Sequence, residues 1–304
     1  MGGLRITQRL LIDRVLGDLR FQTRELLKLQ DQLATGQRIN SPSDDPIDAR
    51  RSINTRTVIQ KQEQYLDNIA MMRPQLEETS TLIQAVVDTI QRANELTLQG
   101  ANGTNSQEQL DYIAEEINEL LEQVLTNGNH LSNGRHIFAG TRTLAPAYVA
   151  TRNVNGDIIS VAYQGNDEVI DMAISDNVRV PINEPGSQVF DGTRDVFQLL
   201  IDIRDDLLAG DQGSLGNQRL TELEEARQQL SQALARVGAV QNRIQRAENE
   251  TEDFRLQNQI LFSQIVDADF AETIVELNAQ QNAYQAALGA AGRVLQPTLL
   301  DFVR

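Results

Sequence analysis

The apolar positions of this chain recur in sevens over long stretches. Residues 5 to 35 place Ile12, Leu19, Leu26 and Leu33 at one heptad position. Val15 and Leu29 fall at its partner position, with Gln22 as a polar interruption. Such a narrow stripe is the seam of a coiled coil. The spacing predicts a helix ending near Gly36. A second pattern sets Ile69, Leu76, Ile83 and Ile90 against Met72, Thr79, Val86 and Ala93. It predicts a helix over 46–99, with Pro74 as a kink or break. A third helix is expected over 106–131, with Leu110, Ile117, Val124 and Leu131 against Ile113 and Leu120. Heptads return late in the chain. Leu223, Leu230, Val237 and Ile244 alternate with Leu220 and Leu234 in a helix from about 217 to 255 or beyond. The last helix, 264–296, sets Ile274, Gln281, Leu288 and Leu295 against Leu277, Tyr284 and Ala291, and stops before Pro297.

Between these helices the period changes. Ile158–Tyr163 and Val169–Ile174 read as strands, with hairpin-like turns at Asn155-Gly156 and Gly165-Asn166. A helix over 193–209 and a loop over 211–216 follow. The expected fold is therefore mainly α: a long, coiled-coil-like helical bundle of paired N- and C-terminal segments, with a small β-rich insert. Its expected parts are a terminal coiled-coil region (1–45 and 261–304), a helical bundle (46–134 and 193–260) and an outer insert (135–192).

Composition fits thin helical seams. Of the 304 residues 40% are hydrophobic but only 4% aromatic, so little ring bulk is available for a thick core. The net charge of -16, with no long run of Lys or Arg, argues against nucleic acid as a partner. The absence of Cys excludes disulfides and thiolate metal sites. No stretch reaches the ~20 apolar residues of a membrane span. Leu10, Leu11 and Ile12 are flanked by Arg9 and Asp13, so no signal-peptide core is read there. The chain is expected to be cytoplasmic, or exported without a cleaved signal.

The two ends differ in sign. Residues 1–40 carry seven basic and four acidic side chains, and residues 261–304 two basic and five acidic. Pairing of the ends follows most simply. A lone helix pair buries one stripe, so it should depend on neighbours for stability.

Candidate chemistry is sparse. His130 and His136 are the only histidines and lack an obvious ligand set; surface or capping roles are expected, with a metal-assisted hydrolase in the insert as the competing idea. Asp44-Asp45 and Asp267-Ala-Asp269 could form carboxylate pairs for glycoside chemistry. Both stand where helix-capping acids are expected. No phosphate loop, nucleophile elbow or zinc-protease motif is present. No catalytic, metal or cofactor residue is assigned. A free helical adaptor is a further alternative.

Three segments carry a family resemblance. Thr35-Gly-Gln-Arg-Ile-Asn-Ser-Pro-Ser-Asp-Asp-Pro-Ile-Asp-Ala49 resembles the turn after the first helix in the bacterial flagellin superfamily. Within it, the 42–46 stretch is similar to the hook–filament junction members of that superfamily. Asn133-Gly-Arg-His-Ile-Phe-Ala-Gly140 resembles their entry into an outer domain. Asp267-Ala-Asp-Phe-Ala-Glu272, the Gln/Asn/Ala-rich stretch 278–292 and Leu299-Leu-Asp-Phe-Val-Arg304 resemble the superfamily's terminal helix. The resemblance implies an extracellular structural subunit of the flagellum, joining hook-associated protein 1 to flagellin in a ring with copies of itself. It also implies unfolded export through the type III export apparatus, with a flagellar export chaperone guarding the C-terminal region. A short flagellin forming the filament itself is the alternative. The expected assembly residues are Ile12, Leu19, Leu26, Leu33, Ile274, Leu277, Leu288 and Leu295, each Leu worth about 1.5–3 kcal/mol when fully buried.

Overall fold

The structure, a computed structural model, describes residues 3–295, and the side chains of residue 10 and residues 12–293. Leu295, Pro297 and the 299–304 segment, as side chains, lie outside that set. The chain forms two compact units, residues 1–61 with 254–304 and residues 62–253. Helices α1 (Gly3–Thr35) and α8 (Phe270–Leu295) belong to the first. Helices α2 (Pro46–Gly100) and α7 (Leu220–Val266) contribute residues to both. The second unit also holds α3 (Gln107–Gly128), six short strands, α4 (Gly186–Val189), α5 (Val196–Ala209) and α6 (Gln212–Ser214).

The heptads of α2 and α7 explain the second unit. Ile69, Met72, Leu76, Thr79, Ile83, Val86, Ile90 and Ala93 are all buried, as are Leu223, Leu230, Val237 and Ile244. The break expected at Pro74 does not occur: α2 runs through it unbroken. Pro74 is exposed, so solvent can reach the carbonyl that proline leaves without its helical donor. Helix α3 stops earlier than expected, at Gly128, and Leu131 is exposed in a two-residue strand rather than in the seam. Leu121 takes a core place instead. The 211–216 segment is not an open loop. Asp211 caps α6 through Ser214 N–H at 3.0 Å, and a π-helical turn, Leu215–Arg219, leads into α7. Arg219 pairs with Asp202, Asp206 and Glu222 there.

The β region is three antiparallel pairs: β1 (Leu131–Ser132) with β2 (Arg135–His136), β3 (Tyr148–Arg152) with β4 (Ile158–Tyr163), and β5 (Asp171–Ser175) with β6 (Val178–Pro181). Asn155-Gly156 is a true hairpin turn between β3 and β4. Gly165-Asn166 is not one, because β4 and β5 do not pair. Asn166 instead braces the 139–141 segment, accepting from Thr141 N–H at 2.8 Å and donating its own N–H to the Ala139 carbonyl at 3.3 Å.

Five aromatic rings close this unit. Phe138 meets Phe190 edge to face at 5.1 Å, and Tyr148 lies 4.6 Å from Phe197. Buried Arg204 on α5 donates to the Ile158 carbonyl at 2.7 Å and to Asn118 Oδ1 at 3.1 Å, tying β4 and α3 to α5. Tyr148 Oη donates to Asp191 at 3.2 Å. Burial, then the nearby Asp195 charge, pushes the Asp191 carboxyl up to about 7. Folded Asp191 keeps its proton to about pH 7, whereas an unfolded Asp releases it near its ordinary 3.8. Stability contributed by this proton is therefore complete below the lower value and lost as pH rises through the higher one. Asp191→Asn should stabilise the fold at pH 8 by on the order of 1–2 kcal/mol, and flatten the decline between pH 4 and 7, in urea titrations across pH.

Candidate assembly interface

The apolar side chains of the first unit stay near its surface. All forty residues of the continuous hydrophobic core lie between Ile69 and Ile244, in the second unit. Among the described residues, residues 1–61 and 254–304 add only Ile39, Ala49, Val266 and Ala291 as buried apolar side chains. The same segments hold fifteen of the twenty-five exposed large hydrophobic residues among the described residues. Each such residue left in water forgoes its burial energy, so this unit has apolar surface still to bury.

Its frame is a pair of chain reversals joined through backbone. Helix α1 ends at Gly36, whose φ of +71° suits glycine. Arg38 N–H donates to the Val266 carbonyl at 2.6 Å, and Ala268 N–H to the Gly36 carbonyl at 2.9 Å, around an antiparallel bridge of Gln37 with Asp267. Two motifs distant in sequence thus meet. Asp44 Oδ2 accepts from Ser41 N–H at 2.8 Å and from Asn40 N–H at 3.2 Å, closing the turn. Asp45 caps α2, accepting from Ile47 and Asp48 N–H at 3.1 Å. The Asp48 amide, followed by the Ile47 amide and Arg38, holds the Asp45 carboxyl below its usual range. Arg38 reaches Asp48 at 2.8 Å and the Ile265 carbonyl at 2.9 Å. Asp269 caps α8 through Ala271 N–H at 2.8 Å. Asp45 and Asp269 cap helix starts, Asp44 closes a turn and Asp267 accepts from the Ser263 hydroxyl, while Lys28 and Arg38 stand near Asp44 and Asp45. Arg38→Ala should speed hydrogen exchange several-fold at residues 36–48 while leaving the second unit's protected amides unchanged.

Helices α1 and α8 pack antiparallel: Gly36 lies beside the Phe270 ring, while Val15 and Leu19 line a cavity with Ala287 and Ala291. Ile12, Leu19, Leu26 and Leu33 are half-buried along α1. On α8 the shielded positions are Thr273, Leu277, Gln280, Gln281, Tyr284, Ala287 and Ala291, and Gln280 Nε2 donates to the Gln22 carbonyl of α1 at 3.3 Å. Leu277 is therefore on the intramolecular seam. Ile274 and Leu288, expected there with it, stand 47% and 46% exposed beside it. The Leu295 side chain lies outside the described residues. The reason for the offset is that Thr and Ala pack close against α1, which turns the larger aliphatic row toward solvent. Nothing in the heptad pattern distinguishes the two rows except the small residues at 273, 287 and 291.

The histidines lie in the second unit. His130 Nε2 is 2.7 Å from Glu78 Oε1, and His136 Nδ1 is 2.8 Å from the Asn129 carbonyl oxygen. Among the described residues no group of three or more His, Cys, Asp or Glu is arranged to hold a metal, and no helix is long and apolar enough to cross a membrane.

Comparison with known proteins places these features. Residues 16–143 match the bacterial flagellin N-terminal helical region, and residues 220–302 the bacterial flagellin C-terminal helical region. Flagellar hook-associated protein 3 of Salmonella typhimurium is 26% identical over 190 residues, 62% of this chain; the match spans little more than half of that relative, 57%. A flagellar filament 33 kDa core protein of Treponema phagedenis is 24% identical over 271 residues, 89% of each chain. A solved flagellar hook-associated protein from Vibrio parahaemolyticus shares the fold with a TM-score of 0.66 at 17% identity, covering 74% of this chain and 100% of that one. With both helical ends matched and a helical frame that brings them together, the chain belongs to the bacterial flagellin superfamily.

Proposed function

We propose that this chain is a structural subunit of the bacterial flagellum at the junction between hook and filament, seated on hook-associated protein 1 and carrying flagellin. The observation that carries this reading is the uneven burial: a complete core in one unit, and exposed apolar helices at the chain ends. Similarity to hook-associated protein 3 supports the junction over other positions. The terminal helices (1–45 and 261–304) would form the inner, self-associating layer in a ring of copies, the 46–134 and 193–260 helices the middle layer, and 135–192 the outer one. Ile12, Leu19, Leu26, Leu33, Ile274, Leu277, Leu288 and Leu295 would supply the apolar contacts. A chain whose ends need neighbours suits export in an unfolded state through the type III export apparatus, with a flagellar export chaperone covering the C-terminal helix. The role is mechanical, not catalytic.

Deletion tests the reading. Loss of a junction subunit leaves hooks intact and flagellin shed into the medium, and the intact chain restores filaments. The match to a filament core protein over 89% of each chain favours one other reading, a short flagellin. In that case deletion leaves capped hooks and no shed flagellin.

A further inference from the structure

The insert returns to the helices through residues 186–195, and this short segment is tied on two sides. Toward the insert, Gly186 N–H donates to the Phe138 carbonyl at 2.8 Å and Tyr148 Oη to Asp191 Oδ2 at 3.2 Å. Toward α7, Gln229 gives its whole amide to the segment. Its Nε2 donates to the Val189 and Arg194 carbonyls at 2.9 and 3.0 Å, and its Oε1 accepts from Arg194 N–H at 2.8 Å. The α7 tie is made of groups that do not titrate. The insert tie includes a carboxyl that does.

The surroundings of Asp191 oppose its ionisation. The side chain is half-buried. Asp195 at the start of α5 and Asp167 between β4 and β5 bear on it with like charge. Both are committed elsewhere, Asp195 to the Phe197 and Gln198 amides at 2.9 and 3.0 Å, and Asp167 to the Ser187 hydroxyl. The Tyr163 hydroxyl on β4 stands against the Phe138 and Asn166 carbonyls at 3.0 and 2.9 Å. The nearby cations are spent on other acids: Arg194 on Glu222 and Glu225 of α7, and Arg236 of α7 on Glu184. Among the described residues no Lys, Arg or His pairs with Asp167, Asp191 or Asp195. An ionised Asp191 therefore has one hydroxyl donor, two like charges and no counter-ion.

We propose that Asp191 is a proton-operated latch on the insert: protonated, it holds residues 186–191 against Phe138 and Tyr148, and on losing its proton it lets that seam open while Gln229 keeps the segment on α7. The insert is the part that can open first. Its strands form only two-stranded pairs, which are marginal alone, whereas α2 is held by four heptads of core. The direction follows from linkage. The closed form keeps the proton up to about pH 7, and the open form releases it near the ordinary 3.8. Opening therefore grows between these values, by at most about tenfold per pH unit, and levels off above the higher one. The insert is tightest in acid medium. The latch is independent of the junction reading, which gives the insert an outward place and no further role.

Native-state hydrogen exchange of the full-length chain at pH 5, 6, 7 and 8, corrected for the intrinsic rate at each pH, reads the latch. Protection of the 186–191 amides should be lower than that of α2 residues 83–96 at every pH. It should fall at least about tenfold from pH 5 to 7 and change little from 7 to 8. Asp191→Asn, which can still accept from Tyr148 and does not titrate, should keep it level. Equal protection at the two places would mean that the insert opens only with the whole fold, and would overturn the proposal. So would the same fall in Asp191→Asn, which would assign the pH dependence to other groups, His130 and Glu78 at the insert's entrance first among them. A second variant, Asp195→Asn, retains the helix cap but removes a like charge. Its protection should level off at a lower pH than that of the unmodified chain. An unchanged profile would show that Asp191 does not sense the cluster, and the latch fails.

Discussion

Leu288→Asp will leave a deletion strain without attached filaments, while the purified variant unfolds as the unmodified chain does. The two halves of this result have separate causes. In the isolated chain Leu288 is 46% exposed, and a surface substitution of this kind shifts stability by only about 0.5 kcal/mol. At an interface between copies the same residue would lose about 1.5–3 kcal/mol of burial, and the new carboxylate would be stripped of water without a partner. Each copy carries the loss, and every 1.4 kcal/mol is tenfold in association. Counting filaments by electron microscopy, beside thermal unfolding of the soluble chain, checks both halves. Normal filament number would show that the exposed row takes no part in assembly.

Gly140→Ala should produce the opposite pattern, a damaged monomer. Gly140 has φ of +65°, and an added Cβ would stand 2.1 Å from the Asn166 backbone oxygen. No rotation of a side chain relieves a clash with backbone. The left-handed conformation adds about 1–2 kcal/mol for any residue with a Cβ. A total loss of at least about 3 kcal/mol is expected, read from urea unfolding. Fluorescence of Tyr148 and Tyr163, which pack on the 138–141 segment and its neighbours, should change at lower urea than helix content does. An unchanged midpoint would mean that the 166–168 segment is free to move away.

These two substitutions mark how far residues alone foretold the molecule. The α2 seam from Ile69 to Ala93 was legible because large aliphatic residues repeat over four heptads and pack in one core. The capping roles of Asp45 and Asp269 were legible for a local reason: an acid before the first helical turn finds free N–H groups. The seam of α8 was harder. Leu288 looks more apolar than Ala287 or Thr273, yet the smaller residues face α1 because they admit its side chains. The strand at 158–163 and the hairpin turn at 155–156 could be read, but not that 171–175 pairs with 178–181 rather than with 158–163, because pairing depends on partners that the local pattern does not name. The joining of 36–38 to 266–268 left little trace in residue types, since main-chain atoms make most of it, with Gly36 at its positive φ and the Arg38 side chain on the Ile265 carbonyl as the exceptions.

That last feature has a genetic consequence. A joint made of peptide N–H and C=O groups tolerates drift in the side chains around it, because the groups that bond are the same in nearly every amino acid. Only a few letters can spell its failure. Proline at 38 or 268 removes a donor outright, and any residue but glycine at 36 must bear a left-handed backbone. The surfaces of the subunit are thus free to diversify with each new neighbour, while the fastening that orients its two ends is inherited almost independently of them.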